Sequence, residues 1–211
     1  MKVDSGIINP LIKQESVEVQ QFYDDLMEFH ELFENCKVLV KKVSVFNVTE
    51  SIKNKLFELF PEITKKTIKH RSGVVIQYNP QIVKFEGKGI TVPIEVANIL
   101  YEFPFICDRV IHGVLPKVVA DTQLKIISDI IVSLNRGEYD ILTQYIKKFT
   151  EKELVFQNGA KFTLSDPYTI RYDGQKYYGN ATTVKQVNLL NVAYINTFFG
   201  NITDPFGRFK E

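Results

Sequence analysis

Asp166 and Asp173 bracket an aromatic run, DPYTIRYDGQ (166–175), and paired carboxylates are the residue type that holds a metal or shares acid/base work. A second stretch, NPQIVKFEGK (79–88), aligns on it without a gap. There the two positions are Asn79 and Glu86, one charge lost and one side chain lengthened. A ligand pair does not survive both changes, but a turn does. Asn or Asp before Pro starts a turn, and an acid before Gly suits a tight hairpin. Both stretches are read as turn, strand and hairpin, not as chemistry.

YEFPFICDRVIHG (101–113) collects Cys107, Asp108, Arg109 and His112, and a Cys–His pair would make a nucleophile. On a short helix opened by Pro104 and closed by Gly113, Cys107 and His112 lie about 140° apart and do not meet. Cys107 then reads as a small core residue, while Asp108 and His112 pair at i, i+4. His30 and Glu34 supply half of a helical metal motif, but neither HExxH nor Glu-x-x-His is complete. The acids around them, Asp24, Asp25, Glu28 and Glu31, read as the wet face of an amphipathic helix and as an acidic contact surface for a partner. No catalytic residue, metal ligand or cofactor is assigned.

Two further groups are candidates for binding. KKTIKHR (65–71) places Lys65, Lys66, Lys69 and Arg71 ahead of Tyr78 and Phe85, a mixture that single-stranded nucleic acid uses. Glu58 and Glu62 dilute that charge, so a solvated loop is the competing reading. The tail sets Phe198, Phe199, Phe206 and Phe209 among Asn, Gly and Pro, as an arm docking on a neighbouring subunit does; the alternative is that it folds back on its own core. Phosphate-loop, dinucleotide-binding and nucleophile-elbow motifs are all absent.

The elements that must position these residues follow from periodicity. Val19, Phe22, Tyr23, Leu26, Phe29 and Phe33 recur at helical spacing over 16–36, with Ser16 as N-cap. KVLVKKVSVFNV (37–48) reads as one strand, Thr49 caps a short helix ending before Pro61, and 67–93 reads as a meander broken at Ser72-Gly73, Asn79-Pro80 and Glu86-Gly87. Helices are expected over 117–135 and 138–149, joined closely enough to lie antiparallel. Asn-Gly and Asp-Gly hairpins and a last helix over 182–199 follow.

The expected class is therefore α+β, antiparallel hairpins and meanders flanked by helices, with two similar lobes and a helical hairpin between them. The expected organisation is an N-terminal lobe over 1–103, a helical segment over 104–150 and a C-terminal hairpin, helix and tail over 151–211, with packing as a single domain as the alternative.

Composition narrows the setting. Of 211 residues 45% are hydrophobic, and 26 Lys and Arg face 25 Asp and Glu, so no global field draws the chain to nucleic acid or anionic lipid. The start of the chain lacks a signal-peptide core, and no apolar run approaches the roughly 18 residues of a membrane span. Cys36 and Cys107 stand alone, and the Asn-x-Thr triplets at Asn47, Asn180 and Asn201 read as chance matches. A cytoplasmic protein is expected, or a virion one, since lysine over arginine without tryptophan is the bias of AT-rich genomes, phages among them. The leading reading is a non-enzymatic assembly protein that contacts protein partners or itself, such as a tail, baseplate or head-completion component. The others are a nucleic-acid-binding accessory factor using 65–71 and an enzyme working through carboxylates or Cys107.

Overall fold

The computed structural model describes residues 16–200 and 203–209. They form an α+β fold of six helices and three antiparallel sheets. The backbone divides into two compact units, one of the described residues up to Glu31 with Asn54–Glu102, the other of Leu32–Lys53 with Phe103 onward.

Helix α1 (Val17–Glu34) is capped at Ser16, whose Oγ accepts from Val19 N at 3.3 Å. Its apolar stripe is buried, with Phe22, Leu26 and Phe29 fully so. The segment expected as a single strand is a hairpin, β1 (Lys37–Val40) with β2 (Val43–Phe46), in register from Lys37↔Phe46 to Val40↔Val43. The break falls at Lys41 and Lys42, whose φ values of 48° and 68° give the two-residue primed turn. Such a turn normally shows itself by Gly, Asn or Asp, and this one carries none of them.

Helix α2 (Glu50–Leu59), with Ile52 N on Thr49 Oγ1, leads into a five-stranded meander. Its strands β3 (Glu62–Ile63), β4 (Thr67–Lys69), β5 (Val75–Gln77), β6 (Ile82–Phe85) and β7 (Lys88–Ile90) pair in chain order. Helix α3 (Ile94–His112) follows, and Pro104 lies inside it, not in its first turn. The buried positions Val96, Leu100, Phe103 and Cys107 keep helical spacing straight through the proline. Continuity of that stripe outweighs the one backbone hydrogen bond a proline removes.

Helix α4 (Lys117–Arg136) ends at Gly137, φ 74°, whose N–H returns to Leu134 O. The helix expected over 138–149 is only α5 (Asp140–Tyr145), and β8 (Ile146–Phe149) takes over from it. Ile146 and Phe149 are buried and pair with Phe156 and Leu154, across a bulge between Ile146 and Lys148. Sheet pairing therefore overrides the helical tendency of this segment. The second meander, β8, β9 (Glu153–Phe156), β10 (Lys161–Thr163), β11 (Asp166–Tyr172) and β12 (Gln175–Tyr178), also pairs in chain order. Helix α6 (Ala181–Phe198) closes the run, capped by Asn180 Oδ1 accepting from Thr183 N at 2.9 Å.

The two halves repeat at the level of single hydrogen bonds. Thr64 N donates to Thr67 O and Thr150 N to Glu153 O, both at 2.9 Å. Thr64 Oγ1 accepts from Thr67 N, and Thr150 Oγ1 from Glu153 N. Tyr78 N reaches Lys66 O and Leu164 N reaches Lys152 O, both at 2.8 Å; Arg71 N to Leu59 O and Gln157 N to Tyr145 O repeat this distance. Every one of these pairs is 86 positions apart. After one extra residue the offset is 87, and the hairpin tips match in backbone: Glu86 and Gly87 at φ 49° and 75°, Asp173 and Gly174 at 49° and 72°. The preceding corners differ, because β11 already begins at Asp166, where Oδ2 accepts from Thr169 Oγ1 at 2.6 Å, whereas β6 begins only at Ile82. Upstream, the buried spacing Phe22, Leu26, Phe29, Phe33 recurs as Gln123, Ile127, Ile130, Leu134. The β1–β2 hairpin has no counterpart between α4 and α5.

Candidate functional site

The β4–β5 turn carries His70, Arg71 and Ser72. Strand alternation turns Ile68 and His70 inward together, and both are buried. The His70 ring is fully buried, edge-on to Phe22 and Phe60 at 5.4 and 5.0 Å between centroids. Its Nδ1 accepts from Ser72 N at 3.1 Å and lies 2.8 Å from Ser72 Oγ, so the proton sits on Nε2, which donates to Asp25 Oδ2 at 2.9 Å. Arg71 donates to both Asp25 oxygens, from Nε at 2.9 Å and Nη2 at 3.1 Å, and Gln21 Nε2 adds a bond of 2.8 Å to Oδ1.

Asp25 therefore does not belong to the wet face of α1. One residue on from Asp24, it is rotated about 100° towards the buried stripe. It is 4% exposed, while Asp24, Glu28 and Glu31 are exposed. Burial alone would raise its pKa, but hydrogen bonds from Arg71 and Gln21, with the Arg71 charge, bring it below the ordinary carboxylate value. Burial lowers the pKa of His70, against the opposing pull of Asp25.

Ser72, His70 and Asp25 have the connectivity of a nucleophile relay. The imidazole, however, is sealed between two phenyl rings, and each Asp25 oxygen already accepts two bonds. The matching positions in the second half hold Phe156 for His70 and Ile126 for Asp25. What the cluster does physically is pin α1 to the β4–β5 turn.

The cluster expected near Cys107 forms without it. Cys107 is buried, and its thiol is pushed up to about 12 by burial and then by the charge of Asp108. Asp108 instead accepts from Tyr178 Oη at 2.5 Å, with His112 Nε2 at 3.6 Å on its other oxygen. Lys176 Nζ reaches the same phenol at 2.7 Å, and the Arg109 guanidinium lies 3.8 Å from the Tyr178 ring centre and 5.2 Å from that of Phe105. Burial and the Asp108 hydrogen bond raise the Tyr178 pKa. Tyr178 and Lys176 were not singled out by sequence, because Asp108, the residue that draws Tyr178 into the cluster, lies 70 residues away.

The basic segment is partly neutralised. Lys69 pairs with Glu62 at 3.2 Å, and Arg71 with Asp25 and Glu58, which leaves Lys65 and Lys66 exposed on the turn after β3. The tail lies against its own core: Phe198 is buried, Phe206 packs on the second unit's core, and Arg208 stacks 4.7 Å from the Phe149 ring centre. Asp204 holds the turn by accepting from Tyr194 Oη, Phe206 N and Phe209 N. Phe199 remains 76% exposed. Among the described residues, no group of three or more His, Cys, Asp or Glu converges for a metal, and no helix is long and apolar enough to cross a membrane. Asn47 and Asn180 use their side chains to accept from Ala181 N and Thr183 N; Asn201 lies outside the described residues.

The β1–β2 hairpin carries exposed apolar side chains beyond an anchored base. Val45 is buried, and Phe46 stacks on Phe33 at 4.4 Å with 12° between the rings, which anchors the base. Asn47 Oδ1 ties the hairpin's exit to the start of α6 at 2.8 Å. Beyond that anchor Val38 and Val43 are exposed, and Leu39 is 72% exposed. Comparison with known proteins finds no matching family model, no matching curated protein and no matching solved structure.

Proposed function

We propose that the protein acts without catalysis, as an assembly protein working through protein–protein contact, with the β1–β2 hairpin as its contact surface. The observation that carries this reading is the hairpin itself: an element added to one half of a repeated architecture, rigidly anchored, with Val38, Leu39 and Val43 turned to solvent. An isolated pair of strands offers unpaired edges as well as apolar side chains, the two features that sheet-mediated contacts use. Two adjacent lysines in left-handed backbone cost on the order of 1 kcal/mol each. Strain of this kind is tolerated where a tip serves contact.

The repetition of hydrogen bonds at a constant offset supports an internal duplication, after which the first copy carries the hairpin and the polar pin and the second keeps neither. The lysine-rich, tryptophan-free composition makes a viral particle component the setting we propose. A photo-activated crosslinker in place of Leu39, in cells that naturally make the protein, tests the reading. Defined protein adducts at position 39 are expected. Adducts to nucleic acid from a probe at Lys66, with none from position 39, would replace it with the nucleic-acid reading.

A further inference from the structure

The hairpin's partner can be specified further, on the reading that the hairpin is the contact surface. By strand alternation Leu39 lies on the face opposite Val38 and Val43; it is bordered at the tip by Lys41 and Lys42, and no ion pair ties either lysine to another described residue. A fitting partner presents an apolar centre among carboxylates. The outer face of α1 is such a surface. At 100° per residue Asp24, Met27, Glu28 and Glu31 fall within an arc of about 100°, opposite the buried Phe22, Leu26 and Phe29. Met27 is 47% exposed, and Asp24, Glu28 and Glu31 are all exposed. No salt bridge to a described residue engages these three acids; Asp24 accepts from Gln20 Nε2 at 3.0 Å.

We infer that the hairpin of one copy docks on the outer face of α1 of a second copy. Leu39 covers Met27, while Lys41 and Lys42 face Glu28, Glu31 and Asp24. Methionine suits such a contact because its flexible, polarisable chain adapts to branched neighbours. Two different patches are joined, so the contact is heterologous. Repetition then gives a ring if the rotation closes and a filament if it does not. A chain of near-zero net charge can self-associate this way without global repulsion.

Sedimentation velocity over a concentration series tests it with two charge-reversed proteins, Lys41→Glu/Lys42→Glu and Glu28→Lys/Glu31→Lys. The wild type is expected to self-associate, more weakly as salt rises from about 0.05 to about 0.5 M. Each reversed protein alone should associate at least about tenfold more weakly. An equimolar mixture should recover association, since each reversed patch then meets its complement, and this recovery also shows that both variants are folded. Leu39→Lys should weaken association whatever it is mixed with.

A wild type that stays monomeric at every concentration overturns the second-copy inference and leaves open contact with a different protein. Loss on hairpin reversal without loss on α1 reversal also overturns it and keeps the hairpin as a contact surface. Self-association that survives both Leu39→Lys and hairpin reversal overturns the hairpin reading itself.

Discussion

The fully buried His70 ring donates its one N–H to Asp25 at 2.9 Å, at positions where the second half of the chain places Phe156 and Ile126. The same position between first helix and second hairpin is thus filled by a polar pair in one half and an apolar pair in the other. Removing one member of a buried polar pair strands the other, whereas replacing both with shapes that fit does not.

Asp25→Ile and His70→Phe should each destabilise the protein by about 2–4 kcal/mol in urea unfolding. The double variant, which installs the second half's residues, should cost at least about 1 kcal/mol less than the sum of the two. Additive losses would mean that the pair is not coupled.

Acid should weaken the fold in two stages. The folded pKa of His70 lies below its ordinary 6.5, so the unfolded chain takes up a proton first and stability falls as pH drops below about 6.5. The folded pKa of Asp25 lies below 3.8, so its contribution is complete above that value and is lost as pH falls through the lower one. Urea midpoints measured from pH 8 to pH 3 should be level at the alkaline end and then descend. His70→Phe should flatten the first descent; an unchanged slope between pH 7 and 5 would contradict a neutral buried imidazole.

The hairpin tips at Glu86-Gly87 and Asp173-Gly174 are equivalent in backbone, and a Cβ added at either glycine meets nothing within 4 Å. Gly87→Ala and Gly174→Ala should therefore lose only the freedom to hold positive φ, about 1 kcal/mol each. Costs differing by more than about 0.5 kcal/mol would show that the two tips carry different loads.

Thiol labelling separates the cysteines. Cys36 is partly exposed, with Sγ 3.2 Å from Leu32 O, whereas Cys107 is buried with its thiol at about 12. A maleimide at neutral pH should modify Cys36 in the native protein and Cys107 only as the chain opens. Rapid native labelling of Cys107 would reopen the reading of it as a nucleophile.

Much of the architecture was legible because local signals carried it. Ser16 and Thr49 cap helices as their types suggest, and Gly73, Gly87, Gly159 and Gly174 mark the turns that divide the meanders. The pairing of DPYTIRYDGQ with NPQIVKFEGK pointed to the repeat, whose full extent rests on backbone bonds that sequence does not display. The Lys41-Lys42 turn was hidden because lysine is not a turn residue, and Tyr145-Ile146 because hairpin pairing with β9 outweighs the local helical pattern. Pro104 looked like a helix start, until the buried stripe on both sides of it is counted. Asp25 and His70 were misplaced by reading runs of like residues as one surface. The alternation of Ile68 with His70 and the 100° step from Asp24 to Asp25 hold the information that places both inside.

Hydrogen–deuterium exchange tests the hairpin contact most directly, comparing dilute protein with protein concentrated enough to associate. Backbone amides of Val38, Val40 and Val43 should slow by about tenfold or more in the associated state, while those of β8–β12 stay unchanged. Hairpin amides that exchange alike in both states, while another segment gains the protection, would contradict the account.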